Sequence, residues 1–155
     1  MNDAALATTI DTLCGTAAMP PWDAILGRLL QHFDCVVGTV HLLDAGDGLL
    51  KLRAHQGLPP PVVDKVAVIP IGKGMAGIAA ERREPVQVCN LQTDASGVVR
   101  EGAKMTRMEG SLAVPMLDGK RLCGVLGVAK PVEYEFTAAQ TEALMAVGQV
   151  LAKRL

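Results

Sequence analysis

Hydrophobic positions in this chain switch between two periods, and the switches mark its elements. Trp22, Ile25, Leu26, Leu29, Leu30 and Phe33 fall at i, i+3, i+4, i+7, i+8 and i+11, the broad apolar stripe of a helix laid on a sheet or on another helix. Asp34 ends it. Upstream, Asp3 is placed to cap a shorter helix in which Leu6, Ile10 and Leu13 share a face and Gly15 is the stop, and Met19-Pro20-Pro21 breaks the chain between the two. Residues 35–43 are β-branched and apolar on both parities, as in a strand covered on both faces. The segment 44–48, Asp-Ala-Gly-Asp-Gly, predicts a hairpin loop. The return strand over 49–55 alternates, Leu50, Leu52 and Ala54 against Lys51, Arg53 and His55, which predicts one face in the core and one in water. Leu58 and the three prolines after it predict a rigid loop.

Residues 66–71 are again extended and run into Gly72-Lys73-Gly74-Met75-Ala76-Gly77, three glycines in six residues. A backbone so built turns sharply and lies close to another group. The helix that follows, from Met75 to about Arg83, is stopped by Pro85, and Val86 to Cys89 forms a short strand. Residues 90–109 have little periodicity and read as a long functional or mobile loop. A second hairpin pairs 111–117 with 121–129 around Asp118-Gly119, and Gly124 and Gly127 within it predict a close backbone approach. Thr137 and Gln140 form a capping box for a final helix striped by Leu144, Val147, Leu151 and Leu155 and widened by Met145 and Val150.

Tight hairpins make antiparallel strands. The order of elements therefore predicts an α+β domain over residues 1–155, with an N-terminal helix in 1–18 and the core in 19–155. It is built on a central antiparallel sheet of five to six strands, with the N- and C-terminal helices on one face and the short helix and long loop over a pocket on the other. The spacing Gly72-x-Gly74-x-x-Gly77 also fits a dinucleotide-binding fingerprint. That motif needs a full crossover helix to a parallel strand, and Pro85 cuts the helix too soon.

Composition narrows the chemistry. The aromatic set is Trp22, Phe33, Tyr134 and Phe136 alone, so stacking platforms for bases are nearly absent, and a formal net charge of −1 with interspersed signs gives no footprint for nucleic acid or an anionic membrane. There is no signal-peptide pattern and no span-length apolar run, so cytoplasmic residence is the expectation. Cys14, Cys35, Cys89 and Cys123 are far apart, which fits reduced thiols and neither a zinc site nor a disulfide framework. No Ser-His-Asp set, HExxH, Walker lysine motif or paired-carboxylate cluster stands out; Lys73 is followed by Gly74 and reads as a solvated turn residue.

Taken together and in order, four stretches resemble the GAF domains. They are Ile69 to Gly77 with its short helix and Glu84-Pro85-Val86-Gln87-Val88; Gly110 to Met116; Gly119 to Val128; and Tyr134-Glu135-Phe136-Thr137 leading into the last helix. The resemblance covers about residues 21–155 and implies a PAS-like ligand-sensing scaffold without naming the ligand. The dispersed signature of cyclic-nucleotide-binding members and the Cys-His pair of bilin-binding members find no match here. The free-methionine-sulfoxide reductases of this fold resemble the chain in size, but the resemblance places Met75-Ala76 and Lys104-Met105-Thr106-Arg107-Met108 where those enzymes carry cysteines. His41 is the one candidate for an axial haem ligand and reads first as a core histidine.

The resulting expectation is a non-catalytic sensory module. A small molecule lies between the sheet and the 75–83 helix under the 90–109 loop, with Met75, Cys89, Met105, Arg107, Met108, Ser111 and His41 as candidate contacts and no metal. Signalling runs through the terminal helices, whose wide stripes are the expected homodimer surface, to a partner protein or output domain. The alternatives are a reductase-like or cysteine-based redox protein and a dimerisation module without a ligand.

Overall fold

The computed structural model describes residues 2–155. Six strands form one fully antiparallel sheet. In chain order they are β1 (Val37–Leu43), β2 (Leu49–Gln56), β3 (Val68–Pro70), β4 (Val86–Val88), β5 (Ser111–Asp118) and β6 (Arg121–Ala129), and in space they lie as β3-β2-β1-β6-β5-β4. The two hairpins supply the inner strands, and the short β3 and β4 close the edges, where little backbone is left unpaired. Every pairing is antiparallel, so the glycine spacing does not belong to a dinucleotide crossover.

One face of the sheet carries α1 (Leu6–Cys14), α2 (Trp22–Phe33) and α6 (Ala138–Ala152). Ile25, Leu26, Leu29 and Phe33 of α2 and Leu144, Val147 and Leu151 of α6 meet Val40, Leu112, Val114, Met116, Leu126 and Val128, the even-numbered set of β1, β5 and β6. Each large side chain so buried contributes about 1.5–3 kcal/mol over its exposed state, which makes this layer the main source of stability. The capping box forms as expected: Thr137 Oγ1 accepts from Gln140 N–H at 3.1 Å and Gln140 Oε1 from Thr137 N–H at 2.9 Å. Asp34 ends α2 in the left-handed conformation.

Several expectations need correction here. The buried face of α1 is Leu6, Ile10 and Cys14, while Leu13 is 41% exposed. This stripe packs into the same core as α6, and Arg154 ties the two helices by donating to Asp11 Oδ1 at 2.8 Å and to the Gly15 carbonyl at 2.8 Å. Of the stripes expected to face a second copy, Leu6, Ile10, Leu144, Val147 and Leu151 are buried within the chain, while Leu13 and Leu155 are exposed. Asn2, not Asp3, caps the N-terminal turn Asp3–Ala5, and Asp3 instead lies 2.7 Å from His32 Nε2. The proline run is not a loop: Pro60 opens helix α3 (Pro60–Val66), where a first-turn proline lacks only an N–H that the helix would leave unpaired anyway. The β1–β2 register shifts between Val40 and His41. The strict alternation expected of β2 breaks there, sending Ala54 to the helix-side core and Leu50 to the opposite face.

That opposite face holds a smaller core of Leu50, Ile69, Ala79, Ala80, Val86, Ala113 and Val125 beneath α4 (Gly74–Arg82). The turn into α4 requires glycine at Gly77, because a Cβ there would stand 2.4 Å from the Pro70 carbonyl oxygen. Between β4 and β5 the chain makes its long excursion, which includes one short helix, α5 (Glu101–Lys104). No helix among the described residues is long and apolar enough to cross a membrane.

Candidate functional site

Three cross-strand rows form the floor of a cavity on the α4 side of the sheet. Val37, Ala129 and Ser111 are neighbours across β1, β6 and β5; so are Thr39, Gly127 and Ala113; and His41 stands opposite Val125. All eight line the cavity. It is open because the middle strands carry so little bulk: where a larger residue would fill the sheet surface there are Gly127, Ala113, Ala129 and Ser111. Gly127 is further confined by its neighbour, since a Cβ there would lie 2.7 Å from Thr39 Oγ1.

The walls come from α3, the Leu58 that precedes it and β3 on one side (Leu58, Lys65, Val66, Ile69), the start of α4 on another (Lys73, Gly74, Met75, Ala76), and the excursion above (Leu91, Arg100, Glu101, Gly102, Ala103, Thr106). The cavity, open to solvent on one side, has a volume of about 310 Å³. Ligand pockets run from about 300 to 1,000 Å³, so this one suits a small metabolite. The excursion covers the cavity like a lid and is hydrogen-bonded across its base. Leu91 N–H donates to the Glu109 carbonyl at 2.8 Å, and Gln92 Nε2 braces the far limb through the carbonyls of Lys104 at 3.0 Å and Met108 at 2.8 Å. Its outer part rests on both walls: Arg100 lies against Gly74, and Gly102 against Val66 and Lys65.

Two kinds of polar group border this space, one buried in the floor and one on the rim. His41 is 2% exposed; its Nε2 donates to the Val66 carbonyl at 2.8 Å, which fixes the proton on Nε2, and its Nδ1 is left an acceptor without a partner. Burial pushes the imidazole below its ordinary pKa, outweighing the upward pull of the Val66 bond, so the neutral ring is the resting form. The second kind is on the rim, where Lys65, Lys73 and Arg100 stand with one lining carboxylate, Glu101, and none of the four is in an ion pair among the described residues.

Of the residues singled out from sequence, His41, Met75 and Ser111 lie together on the lining. Met105, Arg107 and Met108 belong to the lid but are not lining residues; Arg107 is exposed and turns the chain with φ +62°. Cys89 is exposed beside edge strand β4, in a separate and more open groove with Gln87, Asn90 and Asp94. Sequence reasoning missed Thr39, Lys65, Arg100 and the small floor residues. Parity offered a signal for Thr39, which shares the inward side of a doubly covered strand with His41. Nothing marked Lys65 and Arg100, which come from segments 35 positions apart.

The family model described as GAF domain matches residues 23–154, and the chain belongs to that family. No curated protein sequence matches it. Among solved structures, it is similar to the GAF domain of a phosphoenolpyruvate-protein phosphotransferase from Coxiella burnetii, with a TM-score of 0.82, 21% identity, and 99% of this chain and 92% of that one covered. It is similar as well to a free methionine-R-sulfoxide reductase from Neisseria meningitidis in complex with its substrate, with a TM-score of 0.76, 20% identity, and coverage of 98% and 87%. A third is the reduced form of fRMsr of Staphylococcus aureus, with a TM-score of 0.73, 22% identity, and coverage of 99% and 94%.

These likenesses establish the fold. They also correct the expectation of a non-catalytic module, because two of the three neighbours are enzymes, at 20% and 22% identity against 21% for the GAF domain of the phosphotransferase. Architecture at this level of identity does not separate catalysts from sensors.

Proposed function

We propose that this GAF domain binds a small molecule in the cavity floored by Thr39, Gly127 and Ala113, and that occupancy is passed to α6 through β5. The observation that carries the binding half is the floor itself: Gly127, Ala113, Ala129 and Ser111 stand side by side on β5 and β6 and leave a cavity of about 310 Å³ on the sheet, a size within the range of small-molecule pockets.

The coupling half rests on the two faces of one strand. Ser111 and Ala113 of β5 line the cavity, while Val114 and Met116 of the same strand lie in the core beneath α6. The contact with α6 is close: a Cβ on Gly148 would stand 3.1 Å from the Pro115 carbonyl oxygen, so a shift of β5 displaces the helix instead of being absorbed. A ligand that orders the lid and repositions β5 would then alter the surface α6 presents to a partner protein or adjoining domain.

The test is a thermal-shift screen of small metabolites on the wild-type chain and on Thr39→Phe, whose ring would extend over Gly127 into the cavity. Hits that raise the melting temperature of the wild type and leave the filled variant unmoved support the proposal. Equal shifts in both place the ligand elsewhere. Each hit is recovered and identified by mass spectrometry after incubation, so conversion to a product registers in the same experiment.

A further inference from the structure

Among the described residues Lys130 is the one lysine or arginine taken out of water, at 6% exposure, and it forms no ion pair. The end of α2 satisfies its ammonium instead. Nζ donates to the Phe33 carbonyl and, at 3.1 Å, to the Asp34 carbonyl, and it lies 4.5 Å from the centre of the Tyr134 ring. The last carbonyls of a helix have no partner within it and carry the negative end of its dipole, so they suit a cation, and the face of a phenol ring adds to the attraction. Losing these partners would strand a charge away from water, so Lys130 and the groups it holds move as one.

The backbone of the same residue holds the lid. Glu109 N–H donates to the Lys130 carbonyl at 2.7 Å and Lys130 N–H to the Gly110 carbonyl at 2.7 Å, which extends the β5–β6 ladder past the ends of both strands. Glu109 is where the two limbs of the lid meet: its carbonyl accepts the Leu91 N–H, and its Oε1 accepts from Asn90 Nδ2 at 3.1 Å. Tyr134 carries the connection on to α6. A Cβ on Gly110 would stand 2.8 Å from Tyr134 Cβ, so the tyrosine rests directly on the exit from the lid. At its other end the hydroxyl donates to Gln140 Oε1 at 3.0 Å, the same oxygen that accepts the Thr137 N–H in the capping box.

We infer that Lys130 is a coupling post between the lid and the helical layer. Its backbone anchors the base of the lid, its ammonium anchors the end of α2, and through Tyr134 it reaches the cap of α6. Movement of the lid is then felt at both helices by a route separate from β5. The inference rests on the reading of the 90–109 excursion as the cavity's lid, and it extends the proposed signalling to α2 whatever the ligand. Coupling of this kind is reciprocal, so loosening the cap of α6 loosens the lid in turn.

Residue-resolved amide hydrogen exchange on the unliganded full chain tests it. Gln92→Ala removes the side chain that braces the far limb of the lid, and Gln92 is exposed, so the fold is kept. This variant should speed exchange of the Cys35 amide at the end of α2 and of the Thr141 amide in the first turn of α6 by about threefold or more. The Val147 amide, in the middle of α6, should keep its rate, which separates the effect from a general loss of stability. Added to Gln92→Ala, Lys130→Met keeps much of the stem's bulk without the charge and should abolish both responses. Tyr134→Phe in the same background removes only the hydroxyl, and should abolish the α6 response while sparing that of Cys35. In the reverse direction, Thr137→Ala alone should speed exchange at Leu91 and Glu109.

Unmoved Cys35 and Thr141 amides in Gln92→Ala overturn the coupling. So do responses that persist undiminished with Lys130→Met and Tyr134→Phe, because the signal then runs through β5 alone. If Lys130→Met does not fold, the Tyr134→Phe and Thr137→Ala arms decide the matter by themselves. The metabolite screen reads the cavity and not these amides, so the binding proposal stands or falls separately.

Discussion

His41 and Val66 are joined by a 2.8 Å hydrogen bond that pins the end of α3 to the centre of the sheet. The donor is the imidazole Nε2 on β1, the acceptor a helix-terminal carbonyl 25 positions later, and the bond closes one wall of the cavity. It ties the site's deepest polar group to one of the elements the lid rests on.

This bond carries a pH signature. Burial holds the folded-state pKa of His41 below the ordinary value of 6.5, so the unfolded chain binds the proton more tightly. The effect on stability is absent above about 6.5 and becomes a growing loss as pH falls below it. Melting temperatures of the wild type should therefore fall more steeply between pH 7 and 5 than those of His41→Gln, which has no titrating group there. Parallel curves would show that His41 charges freely in the fold.

Thiol reactivity should follow burial. Cys89 is exposed, Cys14 and Cys123 are buried with their thiols pushed up by desolvation, and burial drives Cys35 up to about 11 against a smaller opposing effect of Lys130. Alkylation of the native protein, followed by peptide mass spectrometry, should mark Cys89 first and Cys35 far more slowly. Cys89→Ser should abolish the fast phase. Rapid labelling of Cys35 would mean that the end of α2 opens readily.

The helix-side core sets global stability. Leu144 has no exposed area and sits between α6 and the sheet, so Leu144→Ala should cost about 2–5 kcal/mol in urea titrations, read by the single tryptophan, Trp22, in the same cluster. Leu13→Ala, from the residue expected on the buried face of α1 and found exposed, should change stability by less than about 0.5 kcal/mol. Comparable losses would put α1 against something the isolated chain does not show.

The turn into α4 makes a sharper local prediction. In Gly77→Ala the new methyl meets the Pro70 backbone oxygen, which cannot step aside as a side chain would. The variant should lose about 1–3 kcal/mol of stability and, by shifting the first turn of α4, weaken ligand binding further than the stability loss explains. Wild-type affinity in a folded Gly77→Ala protein would detach the turn from the site.

What the sequence disclosed follows from where its signals are local. The stripe of α2, the Asp118-Gly119 hairpin, the Thr137–Gln140 capping box and the Gly72–Gly77 turn are each written within a few residues, and each is present in the structure. His41, Met75 and Ser111 were legible because they lie on or beside those marked elements. The cavity's place, between the sheet and the 75–83 helix under the 90–109 loop, was legible, but its floor was not, because absent side chains make it: Gly127, Ala113 and Ala129 come together only through cross-strand register. The rim cations were hidden for a related reason, since the folded lid alone places Arg100 beside Gly74. The bulge at Val40 and His41 reversed half of β2 with no glycine or proline to announce it.

The central claim is that ligand and cavity meet at the Thr39–Gly127–Ala113 row. Titration of isotopically labelled protein with the tightest-binding hit, followed by amide chemical-shift mapping, tests it most directly. The account predicts the largest shifts at Thr39, His41, Met75, Ser111 and Arg100, smaller ones along β5 into α6, and none in the groove around Cys89. Shifts centred on Gln87, Cys89 and Asp94, with Thr39 and His41 unmoved, would contradict it.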